Sequence, residues 1–196
     1  MKPLKVGARL PRDVKPDDLR KLLDVIDDEA TSPDEAVRRR GVLDRAWVWL
    51  MLYSGLRAGE VRRLKAADLD LKKRYVRIEQ AKGLKDRRVR LTPATVRALR
   101  VYLSARRSTS CEAMLFSCQG RTLNLSYCGT QLRTYGRRCG VAVTPQRLRH
   151  SCATLLLNAG ASVGHKYLDT TLGYARVHDK VIAAYYCQAM TRRKCN

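Results

Sequence analysis

Hydrophobic positions along the chain recur mostly at helical spacing. Leu19, Leu22, Leu23 and Ile26 fall on one face after Pro16, with Asp17 and Asp18 in the first turn, predicting a helix from Pro16. Ser32-Pro33-Asp34-Glu35 predicts a second start, with Ser32 as cap and Pro33 at the first helical position. That helix should run to about Tyr53 behind a wide stripe of Val42, Leu43, Ala46, Trp47, Leu50 and Met51. Ser54-Gly55 breaks it, and a short helix follows from about Arg57 to Leu64.

The period then shortens to two. Residues 75–79 and 87–91 predict two strands joined by the loop 80–86. Thr92-Pro93 opens a helix to about Ala105, and 106–128 shows no clear period beyond the apolar Leu115-Phe116. Further helices are expected over about 129–138, ending near Gly140, and from Thr144-Pro145 to Gly160. A last one covers about 179–190, with Val181, Ile182, Tyr185, Ala189 and Met190 apolar. The expected class is mixed α+β, mainly α, with a small antiparallel sheet. Residues 1–15 read as a basic lead-in arm, and 16–196 as one domain.

Composition narrows the function. The 196 residues hold 40 Lys+Arg against 18 Asp+Glu, a net charge of +22. A folded chain so basic repels itself unless a polyanion shares its surface, and nucleic acid is the usual one. No apolar run reaches the ~20 residues that cross a bilayer, and the first residues carry no apolar export segment. The expected setting is cytoplasmic and nucleoid-associated, with no membrane partner. Seven cysteines, all from Cys111 onward and without a C-x-x-C pair, read as reduced thiols, several of them in the core. Neither a phosphate-binding Gly-rich loop nor a carboxylate cluster for magnesium is evident, so no metal and no cofactor are expected.

The charge is concentrated. Between Arg57 and Arg107 stand 17 Lys/Arg and 5 Asp/Glu, and from Arg133 to His150 five Arg and no acid. Any one of these arginines could simply belong to a solvated face. The hairpin is more specific: Lys82, Lys85, Arg87, Arg88 and Arg90 suit a strand pair laid on a phosphate backbone, so double-stranded DNA is the expected partner.

Three strings carry a family resemblance: Gly55-Leu56-Arg57-Ala58-Gly59-Glu60, Arg147-Leu148-Arg149-His150, and Gly164-His165 followed after nine positions by Tyr174. In this order, from about Leu10 to Met190, the chain resembles the catalytic domain of the tyrosine recombinases, the phage-integrase family. The resemblance implies a DNA breaking-rejoining fold and a site-specific recombinase or integrase of a mobile element. It implies that Arg57 and Arg149 clamp the scissile phosphate, that Lys82 protonates the leaving 5′ oxygen, and that His165 hydrogen-bonds the phosphate. Tyr174 would be the nucleophile forming a 3′-phosphotyrosyl link. Lys82 is preferred to Lys85 because it precedes Gly83. The physical demands agree. Guanidinium forks match the equatorial charge of a phosphorane-like state, and neighbouring cations favour phenolate.

Beside these stand assisting residues and departures. Glu60 is expected to orient Arg57 rather than do chemistry, and His150 to buttress Arg149. Where the family carries a histidine three residues before the second clamp arginine, this chain has Gln146, which can donate a hydrogen bond but cannot titrate. Only Ala161-Ser162-Val163 separates Gly160 from Gly164-His165, where relatives carry about two further helical turns. The family's N-terminal core-binding domain is expected to be absent, the residues before Pro16 being read as the lead-in arm alone. The final helix resembles the segment with which relatives dock onto a neighbouring protomer, implying a homo-multimer on DNA. Two alternatives remain: a truncated or degenerate relative that binds DNA without cutting it, and supercoil relaxation of the type IB topoisomerase kind.

Overall fold

The computed structural model of the protein describes residues 13–79, 86–106, 115–118 and 121–158, without the side chains at 117, 118, 121, 122 and 153–158. Six helices are described: α1 (Pro16–Ala30), α2 (Glu35–Ser54), α3 (Ala58–Arg63), α4 (Pro93–Ala105), α5 (Leu125–Cys139) and α6 (Pro145–Asn158). Strands β1 (Leu69–Asp70), β2 (Tyr75–Ile78) and β3 (Arg87–Arg90) form an antiparallel sheet in that order. The mainly helical class with a small antiparallel sheet is therefore as expected from the sequence.

Helix α2 is the axis of the core. From Val42 to Tyr53 its apolar residues are buried on every side, including Val48, Trp49 and Leu52 outside the expected stripe. A helix that is apolar all round must be enclosed, and α1, α4 and α6 all pack on it. Gly41 permits a close approach of α1. A Cβ built there would lie 2.4 Å from the Ala30 amide nitrogen of α1.

The caps differ from expectation at one end. Asp34, not Ser32, caps α2, its carboxylate accepting from the Ala36 and Val37 amides at 2.8 and 3.0 Å. A carboxylate binds two N–H groups at the positive end of a helix more strongly than a hydroxyl does, and those two bonds hold its pKa below the ordinary carboxylate value. Pro33 therefore stands outside the helix. At the other end Gly55 takes a left-handed φ of 61° and turns the chain toward α3.

The sheet exceeds the expected hairpin by one strand, with Leu69 opposite Val76 and Asp70 opposite Tyr75. Two residues are too few for a period to show. In the main pair Val76 faces Val89 and Ile78 faces Arg87, and alternation puts these four on the inner side. Helix α5 begins four residues earlier than expected, because Asn124 caps it by accepting from the Tyr127 amide at 2.6 Å. A short β4–β5 pairing (Ser117–Cys118 with Arg121–Thr122) lies inside the stretch without a readable period.

Two further features tie the periphery down. Val14 is buried and donates its amide to Ser151 Oγ at 2.8 Å, so the last residues of the lead-in segment join the core through α6. A polar network links α1, α2 and α5. Asp44 Oδ1 accepts from Trp47 Nε1 at 2.8 Å and the Tyr127 hydroxyl at 2.9 Å, while the Tyr135 hydroxyl lies 2.7 Å from Asp44 Oδ2 and 3.0 Å from Glu29 Oε2. Arg138 and Arg40 pair with Glu29. Burial pushes Asp44 up to about 6. Cys128 and Cys152 are buried free thiols, each raised by burial to about 12.

Candidate active site

The chain turns sharply at Gly55 and buries Leu56, which leaves Arg57 in extended conformation (φ −73°, ψ 146°) at the mouth of α3. Glu60 then folds back and accepts the Arg57 amide on Oε2 at 2.8 Å. This is the carboxylate half of a capping box, and it holds Glu60 at a fixed distance from Arg57. Its side chain is only 7% exposed.

Three guanidiniums converge on that carboxylate. Arg57 Nη1 lies 3.4 Å from Oε1, Arg87 Nη2 2.8 Å from Oε1, and Arg149 Nη1 4.0 Å from Oε2. They come from the α3 cap, from β3 and from α6, and the two clamp candidates are 92 positions apart in the chain. Their exposures differ in a useful way. Arg57 is 47% exposed, whereas Arg87 and Arg149 are 18% and 17%. Three positive charges around one negative leave a net +2, an electropositive focus suited to a phosphodiester.

The other expected residues fall around this focus or beyond the described chain. Gln146 is exposed on α6, one turn before Arg149, and His150 is half-buried beside it. Arg88 and Arg90 are exposed on the outer face of the sheet, where the Arg88 guanidinium sits 5.1 Å over the Tyr75 ring. Arg87 has the opposite parity and turns inward to Glu60. The strand alternation that includes Val89 was the available signal for this. Lys82, Lys85, His165 and Tyr174 lie outside the described residues, as do the 160–165 connection and the expected helix over 179–190. Among the described residues no three His, Cys, Asp or Glu side chains gather as a metal site would require.

Further cations flank α5. Arg133 and Arg137 are exposed, and with Arg147 they edge a groove of about 440 Å³ between the end of α5 and the start of α6. Sequence reasoning had counted these arginines without placing them.

A mainly helical domain thus brings separated arginines from a helix cap, a strand and a late helix to one point. Residues 12–187 match the phage integrase family, and the chain belongs to it. It is 35% identical over 190 residues to the tyrosine recombinase XerA of Thermococcus kodakarensis, covering 90% of this chain and 62% of that protein. It is 33% identical over 169 residues to the tyrosine recombinase XerC of Myxococcus xanthus, covering 78% of this chain and 56% of that protein. The chain thus spans under two thirds of these relatives. The crystal structure of XerA recombinase superposes with a TM-score of 0.67 at 29% identity, covering 95% of this chain and 66% of that one. XerH site-specific recombinase bound to its difH substrate in a pre-cleavage complex superposes at 0.65 and 25% identity, covering 88% and 51%.

Proposed function

We propose that this protein is a site-specific DNA recombinase that breaks and rejoins strands through a 3′-phosphotyrosyl intermediate. The observation that carries the reading is the meeting of Arg57 and Arg149 on one carboxylate, across 92 residues of chain. In the proposed step Tyr174 Oη, having released its proton to solvent, attacks the scissile phosphorus as phenolate, the P–O5′ bond breaks, and Lys82 gives its proton to the departing oxygen. Arg57 and Arg149 take up the charge gained by the non-bridging oxygens, with His165 assisting. Religation is the reverse, so the phosphoryl bond energy is kept in the tyrosyl ester. Gln146 offers a neutral hydrogen bond at the edge of the site.

Grip on the duplex is assigned to the exposed cations Arg88 and Arg90 of the hairpin and Arg133 and Arg137 of α5, together with Lys85 of the connecting loop. Assembly on DNA through the 179–190 segment belongs to the same proposal. No helix of the described residues is long and apolar enough to cross a membrane.

A nicked suicide duplex tests the reading, because loss of the short strand traps the adduct. A covalent protein–DNA species that disappears in Tyr174→Phe supports it. Tight binding without adduct would instead make the chain a non-cleaving DNA binder, the reading that Gln146 favours. Relaxation of supercoils by isolated monomers would point to topoisomerase-like action.

A further inference from the structure

Arginine is an unusual choice for position 87. The residue is paired with Ile78 on the sheet face that buries Val76 and Val89, a place for an apolar side chain. Instead its side chain is four-fifths buried and makes the shortest of the three guanidinium contacts to Glu60, 2.8 Å against 3.4 Å from Arg57 and 4.0 Å from Arg149. Both Arg87 and Arg57 use the same oxygen, Oε1.

A conflict at this point explains the arrangement. Arg57 is the most exposed of the three and its contact is longer than that of Arg87, so it is the group best placed to meet an incoming phosphate. When it turns, Glu60 would be left as a buried anion facing a second anion. A buried carboxylate that loses its counter-ion is strongly disfavoured and would draw the arginine back. We infer that Arg87 is a positioning residue that keeps Glu60 neutralised from the sheet side, so that Arg57 and Arg149 spend their charge on the phosphate. On this assignment Arg87 touches no DNA. Its neighbours Arg88 and Arg90, of outward or edge placement, do.

The inference rests on the strand-cleavage reading, and the experiment separates the two. Adduct formation is timed under single-turnover conditions with a nicked duplex, and duplex affinity is measured across a salt series, for the parent, Arg87→Gln, Arg87→Lys and Glu60→Gln/Arg87→Gln. Expected for Arg87→Gln is a fall of about 10- to 100-fold in the rate at saturating DNA, with affinity and salt slope unchanged. Arg87→Lys restores most of the rate by returning the charge, and the double variant recovers part of it because the anion to be balanced is gone. A weaker affinity with a salt slope reduced by about one, and an unchanged saturating rate, would overturn the inference and make Arg87 a backbone contact. Melting of Glu60→Gln, Arg87→Gln and the double variant gives an independent reading: losses smaller in sum than the singles predict support the pairing, and additive losses overturn it. If the parent forms no adduct, the cleavage reading fails by itself, and the melting cycle alone judges the pairing.

Discussion

At Glu60 one side chain meets two demands. Oε2 closes the first turn of α3 through the Arg57 amide, and Oε1 gathers the guanidiniums of Arg57 and Arg87. The Gly-Leu-Arg-Ala-Gly-Glu string made both Arg57 and Glu60 legible, because a capping carboxylate at this spacing is a local device. The arrival of Arg149 and Arg87 depends on how α6 and β3 pack, which no local pattern encodes. Substitution at the clamp should separate binding from chemistry. Arg57→Lys keeps the charge and loses the planar fork, so the saturating adduct rate should drop about 10²- to 10³-fold with duplex affinity nearly constant, as single-turnover assays would show. Gln146→His restores a titratable donor one turn from Arg149, and the same assay between pH 6 and 8 should show a gain of about tenfold or more with a new pH dependence.

Among the elements, α2 shows where periodicity stops being informative. Its stripe was readable, but Val48, Trp49 and Leu52 are buried too, because three helices surround it and each claims a face. Gly41 marks a close contact with α1. Gly41→Ala should improve helix propensity by about 1 kcal/mol yet destabilise the protein by about 1–3 kcal/mol net in urea unfolding, since the new methyl would meet the Ala30 backbone. The network joining α1, α2 and α5 has a titration of its own. One Tyr135 proton cannot serve both Asp44 and Glu29, and a proton on Asp44 completes the set. With Asp44 raised from 3.8 to about 6, the folded state holds more protons than the unfolded chain between those values. This contribution is therefore full below about pH 4 and is lost as pH rises to 6, by up to about 3 kcal/mol. Asp44→Asn preserves the donors and acceptors, so the stability difference between parent and variant, followed by urea midpoints from pH 4 to 7, should carry that slope.

For the whole molecule the governing quantity is the charge of +22. If six or more phosphates are met by the exposed cations of the hairpin and α5, duplex affinity should fall about 10³-fold or more between 50 and 200 mM salt, measurable by fluorescence anisotropy. That basic excess, the helical and two-residue periods, and the Gly-Leu-Arg and Leu-Arg-His strings were legible from the residues alone, since charge, propensity and capping act over a few positions. They determined the class of the fold, the expectation of a polyanionic partner and two of the arginines. The tertiary structure alone decided that Arg87 turns inward while Arg88 stays outside, and that a buried aspartate and two tyrosines stitch three helices. Each depends on which surface covers a residue, and coverage is set by segments distant in the chain.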